Sequence, residues 1–550
     1  LIFWSLIFAL GAGLNIALGW AGWPAVLSGH LAGPDSYMRL VRLLQGIHHG
    51  HLVNIAEGDQ SGAGLLLDWS RLFDMLLWLL AAPLAAFIGW RDALFAVGVG
   101  FGPLSAGLLG LALAFAARPF AEDRLLWTAA PAASVFPALL ALAPPGAVQS
   151  ATLTMAMLAG AFGCTVRAWR GATGQAFLGG MLAAFALWLT PASLPVIVLG
   201  FLPLALRWWR APIGAAIAAA TAGFFDVIGF GFAIDPPQGG YAVPDLHRLS
   251  LIYLAFAFLT LFAGTTIWRL QGWKHVRWRR PAGAAVLIGV LLVWLLLFPQ
   301  IVLQIYHFLT VQMPASMPGQ TSELVAGALG LAYAIWRYAA GRTWPSLYFA
   351  VCLLLALVLG WRLPEAAALA AVIAAGLVPV GLSELNRHFS TRPATGRVAW
   401  VAGLATILLV AVLPELAAGE PMFVGPSGPP ACDLRGIGAV LRPDTGQIAL
   451  APPAATPELL YRTGIKTVGS LYPAGQAGFD RAMAAWRSPP AAAPSPALRL
   501  TGARLVLFCS APKPLAGPGS LWDALDHGAI PAWLALQAQT PAGWQVFAIR

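Results

Sequence analysis

From residue 1 to about residue 416 the chain is a succession of apolar runs separated by short polar or proline-bearing connections. Most runs approach the length that crosses a bilayer. They predict about thirteen transmembrane helices, over 1–20, 93–117, 125–143, 151–166, 174–188, 193–206, 211–233, 250–268, 283–303, 324–337, 345–360, 365–382 and 398–416. Basic residues cluster in alternate connections: Arg118 and Arg124, Arg167 and Arg170, Arg207 and Arg210, Arg269 to Arg280, Arg337 and Arg342, and Arg387 to Arg397. Cytoplasmic loops carry the excess of Lys and Arg, and this set of helices puts every cluster on one side. Parity then assigns 21–92, 144–150, 189–192, 234–249, 304–323, 361–364 and everything after 417 to the outer face. The run LFDMLLWLLAAPLAAFIG from residue 72 is apolar enough to span. Counting it as a span would move the Arg118 and Arg167 clusters outside, so it reads as a partly embedded helix of the first external loop.

After about residue 417 the pattern changes to short apolar runs (IGAVL, IALAP, TVGSLY, ARLVLFC, WQVFAI) broken by Pro, Gly and Ala. That spacing predicts strands and short helices of a small α/β domain. The expected architecture is a polytopic α-helical membrane domain over 1–416, with a large first external loop at 21–92, followed by a soluble domain over 417–550 that is periplasmic by parity. The opening run LIFWSLIFALGAGLNIALGW has neither a basic n-region nor a small-residue cleavage site, and reads as the first membrane helix rather than a removed signal peptide. Abundant Ala, Gly and Pro fit a bacterial source, which makes the expected location the inner membrane.

Composition sharpens this picture in two places. Hydrophobic residues make up 59% and charged residues 10% of the 550, more apolar sequence than a soluble core buries. The net charge of +10 lies in the loop clusters, where membrane orientation accounts for it and nucleic acid is not an expected partner. The four cysteines show no zinc-ligand spacing. Cys164 and Cys352 fall in apolar runs as buried thiols, whereas Cys432 and Cys509 share the outer domain, where an oxidising compartment leaves a disulfide between them open.

Ionisable residues in the outer segments are the candidates for chemistry. Asp35 in HLAGPDSYMRLVRLLQG is followed at helical spacing by Arg39 and Arg42. Such a carboxylate can hold a divalent metal or act as a base, and the arginines can take phosphate oxygens; equally, Asp35 can cap a surface helix. Asp68, Arg71 and Asp74 lie beside Trp69 and Phe73, as a headgroup site or as interfacial anchors. Glu323 precedes an apolar helix, where an acid in the first turn is favourable in its own right. Arg362 is the one basic residue of its short outer connection, an exception that a phosphate or snorkelling beside Trp361 explains. Asp226 lies within an apolar run, Asp245 and His247 share a polar loop, and His48, His49 and His51 form a cluster with no fixed ligand geometry.

In order and motif these features resemble the catalytic subunits of oligosaccharyltransferases, the archaeal and bacterial single-subunit type of the GT-C membrane glycosyltransferases. The family's Asp-x-Tyr segment with a following Arg reads here as DSYMR at 35–39, and its Leu-Phe-Asp before a hydrophobic helix reads as RLFD at 71–74. A Ser-x-x-Glu type motif closes the family's fifth external loop, and TSEL at 321–324 falls in that place. The resemblance implies a glycosyltransferase that moves a sugar from a polyprenyl-phosphate or polyprenyl-pyrophosphate donor to a lipid, glycan or protein acceptor on the periplasmic face. It implies Asp35 and Glu323 as catalytic and metal-binding carboxylates, Arg39 and Arg362 as donor-phosphate ligands, and Tyr37, Arg71 and Asp74 as further first-loop candidates. It also implies Mg2+ or Mn2+ as cofactor, and membrane lipids with an unidentified acceptor as partners. Two departures stand out: Gln149 and Ser150 occupy the second-loop positions of an acidic metal-ligand motif, and the Trp-Trp-Asp-x-Gly signature that reads an Asn-x-Ser/Thr acceptor is missing, LWDALDHG at 521–528 being a poor substitute. A metal-independent mechanism therefore stays open, as does the alternative of a catalytically degenerate GT-C-fold scaffold or glycolipid transporter.

Overall fold

The computed structural model describes residues 2–273, 276–303, 320–341, 344–362, 364–388, 409, 432–510 and 515–550. The expected helix at 398–416 falls almost wholly outside these residues, as does most of the outer segment 304–323. The chain separates into two compact units: residues 1–20, 102–144 and 149–424 form the first, and residues 21–101, 145–148 and 425–550 the second.

The first unit is helical. Among the described residues of the chain, nine helices are long and apolar enough to cross a membrane, and Ile2–Leu18, Thr173–Leu189 and Pro345–Trp361 are shorter apolar helices. The protein is therefore a multi-pass membrane protein, as its apolar runs predict. Lipid offers no hydrophobic drive between helices, so close packing must hold them, and small residues supply it. The helices Thr173–Leu189 and Gly214–Ile234 show how. A Cβ at Gly180 would overlap the Ala220 carbonyl, and one at Gly223 would overlap the Phe177 carbonyl, so only glycine lets these backbones touch.

One expectation differs from the structure. The helix expected over 125–143 is broken into a 3-10 turn at Asp123–Thr128 and short helices at Ala129–Ser134 and Pro137–Leu142. Pro137 has no N–H to give and forces Phe136 into an extended conformation, with ψ at 124°. The run read as partly embedded is a regular 18-residue helix, Arg71–Ile88, as apolar as the spans, with its start capped by the Ser70 hydroxyl on the Leu72 N–H.

The second unit is built on a five-stranded mixed sheet in the order β4-β3-β5-β7-β6. A short hairpin, β1 (Ile55–Ala56) and β2 (Leu65–Leu66), lies in the first loop. The sheet strands are β3 (Ile448–Leu450), β4 (Lys466–Thr467), β5 (Leu505–Phe508), β6 (Leu534–Gln539) and β7 (Gln545–Ile549). β3 runs parallel to β4 and β5, while β7 runs antiparallel to β5 and β6. β5 is central and apolar throughout because both its faces are covered. Val506 and Phe508 pack with Trp486 and Trp522, and Leu505 and Leu507 pack with Ile437 and Leu459 on the other side. Cys432 and Cys509 form a disulfide that ties the start of this segment to the end of β5.

The first loop completes the sheet edge. Thr467 of β4 donates its N–H to the Gly58 carbonyl at 2.8 Å, which satisfies an edge that would otherwise stand open. Ser61 donates to the Thr501 carbonyl at 2.7 Å and Gln60 to the Gly475 carbonyl at 3.2 Å. Residues more than 400 apart in sequence thus belong to one body.

Candidate functional site

The first-loop motif DSYMR opens the helix Pro34–His49. Pro34 starts it without losing a needed N–H, and Asp35 stands in the first turn, where the helix dipole favours an anion. Asp35 is not the cap residue; that position is Gly33. Its carboxylate is exposed, while Ser36, Tyr37, Met38, Arg39 and Arg42 behind it are buried.

Arg39 and Arg42 converge on one acid. Arg39 Nη1 lies 3.0 Å from Asp74 Oδ1, and Arg42 Nη2 lies 2.5 Å from Asp74 Oδ2. Asp74 is 1% exposed and sits in the first turn of the Arg71–Ile88 helix, so RLFD delivers the counter-charge to DSYMR. Burial lowers the Arg39 pKa to about 10 against the pull of Asp74, and the guanidinium remains a cation at neutral pH. It lies over Trp69 at 4.4 Å and over Phe73 at 4.5 Å. Arg42 adds hydrogen bonds to the Trp69 and Leu67 carbonyls at 3.1 and 3.4 Å. Arg39, expected as a donor-phosphate ligand, thus has its charge paired with Asp74 inside the fold.

What meets Asp35 comes from the far end of the chain. The Tyr472 hydroxyl donates to Asp35 Oδ1 at 2.9 Å, and the Tyr472 ring meets Trp69 edge-on with centroids 5.5 Å apart. Burial and the neighbouring Asp35 raise the pKa of the phenol, which keeps it a donor. Asp35, Trp69, Arg39 and Tyr472 together form an exposed carboxylate on a fixed aromatic and cationic support.

The other first-loop candidates also have partners within the fold. The Tyr37 oxygen accepts from the Leu31 N–H at 3.0 Å and from Arg462 at 3.2 Å. Arg71 donates to the Asn54 side chain at 3.2 Å. His49 pairs with Glu57 at 2.9 Å, with its ring stacked on His51.

A second polar cluster anchors the same helix. His30 is 4% exposed, with Nε2 3.1 Å from Asp433 and Nδ1 3.2 Å from Glu458. Arg435 bridges Asp433 to the Ser28 carbonyl, and Arg462 bridges Glu458 to the Gly29 carbonyl. Burial works against ionisation of both acids, yet the Arg435 hydrogen bonds at Asp433, and the His30 hydrogen bond with the Arg462 charge at Glu458, outweigh it and hold both pKa values low. Asp59 behaves oppositely: it is fully buried, and desolvation raises its pKa in spite of donors from Ser470 and the Gln60 N–H. Nothing local in the sequence marks the contacts of His30 with Asp433 and Glu458 or of Asp59 with Ser470, since these join the first loop to the C-terminal segment.

Glu323 and Arg362 belong to the first unit. Glu323 is fully buried in the first turn of the helix Gln320–Gly341. Arg362 ends the helix Trp344–Arg362, and its side chain lies outside the described groups. Gln149 lies just before the helix Ala151–Ala168, half-buried. In the connection 235–250 of this unit, Asp235 takes the Trp188 indole N–H at 2.9 Å and pairs with Arg248, both fully or nearly fully buried, while Asp245 accepts from the His247 N–H. Asp226 is exposed on its helix. Among the described residues no three His, Cys, Asp or Glu side chains come together as metal ligands.

No family model and no curated protein matches the chain in sequence. Its fold is similar to that of a solved archaeal oligosaccharyltransferase, AglB from Archaeoglobus fulgidus in complex with an inhibitory peptide and a dolichol-phosphate, at a TM-score of 0.71 and 14% identity over 92% of this chain and 69% of that one. The oligosaccharyltransferase of the same organism in complex with Zn and sulfate gives 0.68 at 12% identity, over 99% and 73%. At such identities the likeness establishes the fold. The chain has an oligosaccharyltransferase-like fold, as the sequence resemblance implies.

Proposed function

We propose that the protein is a membrane glycosyltransferase that moves a sugar from a polyprenyl-phosphate or polyprenyl-pyrophosphate carrier to an acceptor on the outer face of a bacterial inner membrane. The observation that carries this reading is the division of labour between two first-loop acids. Asp74 is buried and consumed by Arg39 and Arg42, whereas Asp35 is exposed at a helix start and held by Tyr472. The Cys432–Cys509 disulfide supports an oxidising location for the second unit.

In this reading the acceptor's nucleophile attacks the anomeric carbon, the bond from that carbon to the phosphate oxygen breaks, and the phosphate or pyrophosphate leaves on its lipid. Asp35 takes the acceptor proton as general base. A divalent ion needs about six oxygen ligands, and the described residues around Asp35 supply one exposed carboxylate with an oxygen already engaged by Tyr472. Mg2+ or Mn2+ held there would complete its shell from water and the donor's phosphate oxygens. Glu323 and Arg362 enter the proposal as residues to be tested singly.

The test is transfer of radiolabelled sugar from lipid-linked donors extracted from host membranes, by the purified wild-type protein and by Asp35→Ala, with and without EDTA. Transfer by the wild type that Asp35→Ala abolishes supports the reading, and the EDTA arm reads the metal requirement. If neither protein transfers sugar while both are folded and bind polyprenyl-phosphate vesicles, the scaffold or carrier reading replaces it.

A further inference from the structure

Tyr472 comes from the C-terminal segment, 437 residues beyond the acid it contacts. Its placement is fixed from three sides. The Trp69 edge contact sets the ring, and Trp69 itself is clamped under the Arg39 guanidinium, which Asp74 holds. Just after Tyr472, the turn Pro473–Gly475 is pinned by Gln60 to the Gly475 carbonyl. Just before it, the Ser470 hydroxyl is held by buried Asp59. A surface tyrosine touching a carboxylate by chance would not be braced by two separate elements of the first loop, the Asp59–Gln60 turn and Trp69.

We propose that Tyr472 is a positioning residue for Asp35: its hydroxyl fixes Oδ1 and so aims Oδ2 at the reacting acceptor. This rests on the reading of Asp35 as the reacting carboxylate. An exposed aspartate rotates among staggered rotamers, and only one presents a lone pair to a bound acceptor. A hydrogen bond that selects this rotamer acts on the transition state more than on binding, because small misplacements of a catalytic group cost rate far more than affinity. It also gives the C-terminal segment a part in the chemistry: the sheet domain holds the catalytic carboxylate of the first loop in place. Tyr472 is a positioning residue and does not itself touch substrate.

The experiment measures kcat and KM for donor and acceptor in the radiolabelled transfer assay, with full-length wild type, Tyr472→Phe, Tyr472→Ala and Asp35→Asn, alongside the thermal midpoint of each. Phenylalanine keeps the ring against Trp69 and removes only the donor. The expected result is a fall in kcat of about tenfold for Tyr472→Phe, with both KM values and the midpoint close to wild type. Tyr472→Ala falls at least as far in kcat. A Tyr472→Phe enzyme with wild-type kcat, or one whose loss lies wholly in KM, overturns the inference while the inactivity of Asp35→Asn leaves the functional reading standing. An Asp35→Asn enzyme as active as wild type overturns the functional reading, and the inference with it.

Discussion

The two units of this protein hold themselves together by opposite means. In the helical unit, adhesion comes from what is missing: Gly180 and Gly223 lack the Cβ atoms that would hold the Thr173–Leu189 and Gly214–Ile234 backbones apart. In the unit formed by the first loop and the C-terminal segment, adhesion comes from buried charge: Asp74 between two arginines, and His30 between Asp433 and Glu458. The difference follows the surroundings. Lipid rewards close packing and penalises ions, whereas a polar body can bury ions provided each is paired. The helical unit buries charge as well, but at its margins: the Asp235–Arg248 pair sits in the polar connection before the helix Leu251–Leu270, and Glu323 in the first turn of the helix Gln320–Gly341. The lesson for the site is that Asp74, Asp433 and Glu458 are held by cations, whereas Asp35 of the first loop stays exposed and is met by the neutral Tyr472 hydroxyl.

The largest expected effect attacks the charge side. Asp74→Ala leaves Arg39 and Arg42 buried without their acid and should cost about 3–5 kcal/mol, measured as a lowered unfolding midpoint or as protease sensitivity of residues 21–101. Next is the covalent tie. Cys432→Ser with Cys509→Ser removes a link across a separation of 77 residues, and a cost of about 2–4 kcal/mol is expected in chemical denaturation. The packing side is tested by Gly180→Ala, which forces a methyl against the Ala220 carbonyl; overpacking of this kind costs about 1–3 kcal/mol, read as a drop in the melting temperature of the detergent-solubilised protein.

These outcomes bear on what was legible in the sequence. The apolar runs, the α/β character of the C-terminal segment and the pair DSYMR and RLFD could be read directly, because each is a local pattern. Pro137 was equally visible, and its power to break the run at 125–143 is a local rule that hydropathy overrode. The helix from residue 71 was legible as a helix from its apolar run, and Ser70 before it is a local capping signal. The partners of the site were illegible for a different reason. Tyr472 meets Asp35, and Arg462 meets Tyr37, across more than 400 residues, and a single sequence carries no signal for such pairs. Asp74 was found as a candidate, but that its charge would be consumed by Arg39 needed coordinates.

The smallest expected effect separates the units by pH. Asp433 and Glu458 have depressed pKa values in the folded state. The stability they contribute is therefore present above the unfolded carboxylate range of about pH 4 and lost as pH falls through the lower folded values. Acidification below about pH 4 should loosen the His30, Arg435 and Arg462 contacts of the second unit before the helices separate, visible as hydrogen exchange rising first in residues 28–31 and 456–462.

The most direct test of the account compares its two acids in one preparation, measuring sugar transfer and thermal midpoint for Asp35→Asn and Asp74→Asn. The account predicts that Asp35→Asn abolishes transfer at an unchanged midpoint, while Asp74→Asn lowers the midpoint. Transfer retained by Asp35→Asn, or a midpoint that falls as far for Asp35→Asn as for Asp74→Asn, would contradict it.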